Sequence, residues 1–186
     1  MVLQRLSLEE FEAFAHLPEN DEKTWEMLDG EIVEKMPSNP YCSYIAARIL
    51  IRLGIFLLEN DIGFVTGESG GYEIGDDVYA PDVAYISRER AGELARSGFN
   101  RVAPDLAVEV VSPTDSERRL RLKIFRYLAS GTRVWVVYPE DLTVEVYAPG
   151  QPVLILGRDG VLTAPDLLPG FELPVADIFP EAPSVA

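Results

Sequence analysis

Hydrophobic and polar positions alternate or recur with enough regularity to divide the chain into elements. Leu106 to Val111 is nearly all apolar and rich in valine, which predicts a strand buried on both faces. With a two-residue repeat, Leu106, Val108 and Val110 face one way, and Ala107, Glu109 and Val111 the other. Upstream, Ser7 and Glu10 have capping-box spacing ahead of Leu8, Phe11 and Phe14, predicting a helix over 7–16 that Pro18 ends. A charged turn over 19–23 leads to a hairpin, residues 25–28 and 31–36 about an Asp29-Gly30 turn. After a loop over 37–40, the stripe Ile45, Ile49, Leu53, Phe56 and Leu57 predicts a helix over 41–59 with Arg48 and Arg52 beside it. Strands follow near 63–66, 70–74 and 79–86, and Pro81 restricts the last to a strand start or an edge, leaving Asp82 at its mouth. Residues 87–101 read as a short helix and loop.

Beyond the buried strand, Thr114 and Glu117 again have capping-box spacing, and Leu120, Ile124, Tyr127 and Leu128 form a helical stripe up to Ser130. Arg119, Lys123 and Arg126 run on a neighbouring stripe, and Gly131 suits a left-handed cap. Strands are predicted at 133–138, 143–147 and 153–156, before an irregular, proline-containing tail that regains order near 175–179. Strand, helix, strand over 105–138 implies a right-handed crossover, so the fold class is α/β (α+β), one mixed central sheet flanked by helices. The 186 residues correspond to one domain, 1–186.

Composition narrows the chemistry. Hydrophobic residues make up 47% and charged residues 25%, ordinary values for a globular chain, and no apolar run near the ~20 residues of a membrane span stands out. An N-terminus with Arg5, Glu9, Glu10 and Glu12 is not that of a signal or transit peptide, and Cys42 is the sole cysteine, so a cytoplasmic protein is expected. His16 is the sole histidine, which argues against a Ser-His-Asp triad or a histidine-rich metal site. Chemistry must then come from carboxylates, tyrosines, thirteen arginines and three lysines. The net charge of -15 opposes long-range attraction to nucleic acid unless divalent cations or a local basic stripe offset it.

Three residues combine into a chemical proposition. Asp82 at a strand mouth and Glu109 inside a buried strand can supply oxygen ligands to Mg²⁺, with Mn²⁺ as a substitute. Lys123 on the next helix can polarise an attacking water or steady charge building on phosphorus. That equipment hydrolyses a phosphodiester without histidine or cysteine. Taken singly, each has a plainer reading. Asp82 can cap a turn, Glu109 can sit in an ordinary ion pair, and Lys123 can lie on a solvated face. Tyr127 and Trp135 read as core.

The chain resembles the Uma-two family of restriction endonucleases, a branch of the PD-(D/E)XK nuclease superfamily with a restriction-endonuclease-like fold. The resemblance rests on Trp25-Glu26-Met27-Leu28-Asp29-Gly30-Glu31, on Ala80-Pro81-Asp82-Val83-Ala84, and on the run from Pro104 to Pro113. Lys123, Tyr127, Gly131 and the Trp135 strand complete it. It implies that Asp82 and Glu109 are metal ligands with the Val110 carbonyl as a third, and that Glu31 or Glu26 adds a further acid, Glu31 being placed in the catalytic set. The superfamily's lysine should stand at position 111, where this chain has valine, and Lys123 is its implied replacement. The resemblance further implies a Mg²⁺-dependent endonuclease acting on nucleic acid, DNA foremost, as a homodimer. Two alternatives remain: a nuclease fold kept as a binding or assembly module, and a metal-dependent phosphoesterase acting on a small substrate.

Overall fold

The structure, a computed structural model, describes residues 6–20 and 22–180. Asp21, in the charged turn, lies outside the described residues, as does Arg5. The elements run α1 (Leu8–Ala15), β1 (Trp25–Leu28), β2 (Glu31–Glu34), α2 (Pro40–Glu59), β3 (Gly63–Gly67), β4 (Tyr72–Ile74), β5 (Asp77–Tyr79), β6 (Val83–Ser87) and β7 (Leu106–Val110). There follow α3 (Glu117–Ala129), β8 (Arg133–Tyr138), β9 (Thr143–Tyr147), β10 (Leu154–Leu156), β11 (Val161–Leu162) and β12 (Leu173–Pro174), with a 3₁₀ turn at Val175–Asp177.

A six-stranded sheet, ordered β10-β9-β8-β7-β6-β3, forms the centre. Its one parallel pair is β7 with β8, joined through α3 as the strand-helix-strand reading requires. Strand β7 is fully buried, and its two faces feed two different cores. Leu106, Val108 and Val110 pack with the α2 stripe Cys42, Ile45, Ile49 and Leu53. Ala107 packs on the opposite side with Ile124 and Tyr127 of α3 and with Leu28, Tyr72 and Tyr79 of a smaller sheet. That sheet is ordered β2-β1-β5-β4 and is capped by α1 through Phe11, Met27 and Val78. Each fully buried side chain of this kind contributes about 1.5–3 kcal/mol, so the two-faced burial of β7 fixes its register firmly.

Local signals account for several element ends. Ser7 and Glu10 form the capping box of α1, and Asn39 caps α2. Asp29 and Gly30 both adopt positive φ, 54° and 78°, the conformation of a two-residue hairpin turn. Gly131 closes α3 with φ 78°.

Three expectations are corrected and one, the irregular tail, is extended. Helix α3 is capped by Ser116, whose hydroxyl accepts from the Arg119 N–H, and not by Thr114; Ser112 to Asp115 forms a turn closed by its own Asp115 carboxylate. Residues 88–99 contain turns and no helix, because Asn100 pairs with Tyr72 and ties the segment to β4. The tail is core: Leu162, Ala164, Leu168, Phe171 and Leu173 are buried against β7 and β8 on the α2 side. Helix α2 is, by length and composition, long and apolar enough to cross a membrane, with mean hydropathy 1.6, although one of its faces is packed on the sheet.

Candidate functional site

The site begins with strand register. In the antiparallel pair β6/β7, Val83 lies opposite Val108, so Asp82 falls opposite Glu109 one step further along. Opposed residues project to the same face with Cβ atoms about 5 Å apart. Pro81 cannot donate to a ladder, so β6 starts after it and Asp82 is left at the strand mouth. There its carboxylate receives the Val110 N–H at 2.8 Å on Oδ2.

Helix α3 delivers the amine. Lys123 lies one residue before Ile124 and four before Tyr127, and all three are buried. Its Nζ stands 2.8 Å from Glu109 Oε1 and 3.0 Å from Glu26 Oε1. Tyr127 donates its hydroxyl to the same Glu109 oxygen at 3.0 Å. Two donors converging on one oxygen suit an ionised carboxylate. Glu26 arrives from β1, the strand between β2 and β5, and also accepts the Ala80 N–H at 2.9 Å. These contacts replace the solvated-face reading of Lys123 with a buried cation shared by two acids.

Electrostatics follow from burial. Desolvation pushes Glu109 above the usual carboxylate range; Lys123 opposes the shift, and Asp82 and Glu26 add to it. For Lys123 burial alone lowers the pKa, but Glu109 and Glu26 outweigh it and the net direction is upward. The two acids thus hold Lys123 in its ammonium form. Tyr127 is pushed well up, first by burial and then by the Glu109 and Glu26 charges.

These groups line a cleft of about 320 Å³ bounded by Asp82, Glu109, Val110, Glu26, Lys123 and Lys35. The structure thus brings together Asp82, Glu109, Val110 and Lys123. It does not bring in Glu31. That residue pairs with Leu28 at the tip of the hairpin, on the edge strand β2, and is exposed. Glu26 pairs with Val33, about 7 Å further along the same ladder, and is 9% exposed. Of the two acids in the early motif, Glu26 is the one in the cleft, and Glu31 is corrected accordingly.

Sequence reading missed Lys35. Its Nζ donates to Asp82 Oδ1 at 2.9 Å and to the Ala80 carbonyl at 2.6 Å. The available signal was scarcity: of three lysines, two face this cleft. Cys42 is buried nearby, its thiol 3.6 Å from the Val111 carbonyl.

A divalent metal was tested against this donor set. Among the described residues no group of three or more His, Cys, Asp or Glu side chains is gathered closely enough to hold an ion unaided. Mg²⁺ needs less, since it keeps several waters and takes one or two carboxylates. Asp82 and Glu109 are hard oxygen donors on one face of an open cleft. With Glu26 they outnumber the two ammonium groups by one negative charge. The donor chemistry fits such an ion.

Three comparisons bear on the chain. The family model Uma2, described as "Putative restriction endonuclease", matches residues 8–176. A solved structure described as a "putative nuclease belonging to DUF820" from Anabaena variabilis superposes with a TM-score of 0.79 at 25% identity, covering 94% of this chain and 97% of that one. A search of curated proteins returned no match.

Proposed function

The chain belongs to the Uma2 family of restriction-endonuclease-like proteins, a nuclease family, and on that premise we propose that it is a Mg²⁺-dependent endonuclease acting on DNA. The observation that carries the reading is the convergence of Asp82, Glu109 and Lys123 in one cleft from three separate elements. Asp82 and Glu109 would hold the ion, with the Val110 carbonyl beside them. When bound, the ion supplies Lewis-acid polarisation of the phosphoryl oxygens.

The protein's own groups have distinct tasks. Lys123, fixed as an ammonium, stabilises the negative charge that grows on the phosphoryl group and polarises the attacking water. Tyr127 and Lys123 together orient Glu109. Glu26 anchors Lys123 from the far side while the Ala80 N–H fixes Glu26. Water adds across the bond between phosphorus and the 3′ oxygen, giving a 5′-phosphate and a 3′-hydroxyl.

The test compares wild type with a variant carrying Asp82→Ala and Glu109→Ala. Titration calorimetry with Mg²⁺ or Mn²⁺ should show binding only in the wild type, and only the wild type should cut duplex DNA. Equal binding by both proteins removes the site. A second reading, a nuclease fold working as a binding module, is favoured by the acidity of the cleft. Its lining carries Glu26, Glu34, Asp82, Glu109 and Asp115 against Lys35, Lys123 and Arg119. Metal binding without cleavage of any nucleic acid would select that reading.

We also propose a homodimer. It is supported by the outward stripe of α2, where Tyr44, Ile51, Ile55 and Leu58 are 43–88% exposed at helical spacing. Sedimentation should report a dimer for the wild type and a monomer for Ile51→Glu; an unchanged mass for the variant removes this surface.

A further inference from the structure

Lys35 has a place in the cleft that neither the resemblance nor the two-acid, one-amine scheme assigns. It follows β2 directly, and its backbone N–H is tied to the Thr24 carbonyl at 2.8 Å. Its side chain is 18% exposed and that of Asp82 12%, so the 2.9 Å pair between them is largely withdrawn from solvent. A second bond to the Ala80 carbonyl at 2.6 Å holds the ammonium in place. An ammonium has three N–H donors, and among the described residues no protein acceptor takes the third.

The charges in the cleft give this arrangement a consequence. Lys35 neutralises Asp82 while Lys123 is shared by Glu109 and Glu26. Three carboxylates against two ammonium groups leave one surplus negative charge at these pairs, and with Glu34, Asp115 and Arg119 the lining carries two, which repels a phosphodiester. A divalent cation on Asp82 cancels that surplus. The carboxylate that held Lys35 is then satisfied by the ion. The lysine, on a flexible four-carbon stem, becomes available to an anion at the same spot.

We propose that Lys35 is an exchange counterion of the catalytic cleft: it pairs with Asp82 while the metal is absent and binds the substrate phosphate once the metal has taken Asp82. This inference rests on the metal-dependent reading above and adds to it an order of binding, cation first and nucleic acid second. Lys35 is a substrate-binding residue on this account, and Lys123 remains the group fixed between two acids.

The experiment separates the two ligands. Mn²⁺ is titrated calorimetrically into the full-length wild type, Lys35→Met and Lys35→Arg. A fluorescent duplex oligonucleotide is then titrated by anisotropy, with Ca²⁺ present, into the same three proteins. Removing a positive charge within about 5 Å of the incoming ion should tighten Mn²⁺ binding in Lys35→Met by roughly tenfold. The oligonucleotide should bind that variant roughly three- to tenfold more weakly, with a salt dependence reduced by about one phosphate contact. Lys35→Arg keeps the charge and should return both affinities towards wild type.

A merely structural role for Lys35 would weaken both ligands together, so opposite shifts support the proposal and parallel shifts overturn it. Unchanged Mn²⁺ affinity in Lys35→Met also overturns it while leaving the metal site intact. A wild type that takes up no Mn²⁺ overturns the metal-dependent reading and this inference with it.

Discussion

Replacing Lys123 with methionine is the sharpest test of the cleft, because the variant keeps the length of the side chain and removes its charge. In the wild type this one ammonium satisfies Glu109 at 2.8 Å and Glu26 at 3.0 Å, and all three side chains are only 10–12% exposed. Removing one partner of a buried ion pair costs about 3–5 kcal/mol, since the charge left behind is uncompensated. Two carboxylates are left here, so the upper half of that range is expected. For a chain of this length each kcal/mol lowers Tm by about 2–4 °C, so the variant should melt roughly 8–20 °C below wild type.

The remedy is equally specific. Adding Glu109→Gln to Lys123→Met removes one of the stranded charges while leaving an acceptor for the Tyr127 hydroxyl. The double variant should regain at least about 1 kcal/mol relative to additivity. Circular dichroism melts and urea titrations of the four proteins of the cycle give both numbers. A Lys123→Met protein within 1 kcal/mol of wild type, or strictly additive effects, would refute the shared-cation account of the site.

The two early acids should behave oppositely. Glu26→Ala strands the buried Ala80 N–H and half-frees Lys123, costing about 1–3 kcal/mol and weakening metal uptake, whereas Glu31→Ala should stay within about 0.5 kcal/mol by melting and leave metal uptake unchanged by calorimetry. Alkaline titration gives a second check. Burial, then the Asp105 charge, pushes the Tyr85 hydroxyl up to about 12 from an ordinary value of 10.0. Tyr72, Tyr79, Tyr127, Tyr138 and Tyr147 are also raised, chiefly by burial. A raised pKa means the fold holds these protons more tightly than the open chain, so the stability they add is complete below about pH 10 and drains as pH rises through about 12. Ultraviolet absorbance should show most tyrosinates forming together with loss of the circular dichroism signal; their formation in an intact fold within the ordinary range would contradict the burial. Finally, Gly131→Ala places a side chain at φ 78° and should cost about 1 kcal/mol or more by denaturant titration, and a neutral effect would remove the left-handed cap of α3.

What the sequence determined by itself was everything governed by near neighbours and by periodicity. The capping box of α1, the Asp29-Gly30 turn, the left-handed Gly131 and the two faces of β7 all follow from residues a few positions apart. The placement of Asp82 at a strand mouth follows from Pro81 alone. The choice between Thr114 and Ser116 as a cap was not legible, since both hydroxyls precede the same helix and the Asp115 turn decides which is used. The tail looked irregular because its apolar residues have no period; their burial is set by the sheet face and by α2, which are remote in the chain.

The candidate site shows the same division. Residue type and spacing marked Asp82, Glu109 and Lys123. Only tertiary structure decided that Glu26 and not Glu31 joins them, because one lies on an interior strand and the other on the tip of an edge strand. Only tertiary structure revealed Lys35, whose partner Asp82 is 47 residues away. Periodicity reports which face a side chain takes within its own element. Whether that face meets water, a hydrophobic layer or an opposite charge depends on packing between elements, and the energies that make a carboxylate costly or an ammonium permanent arise there.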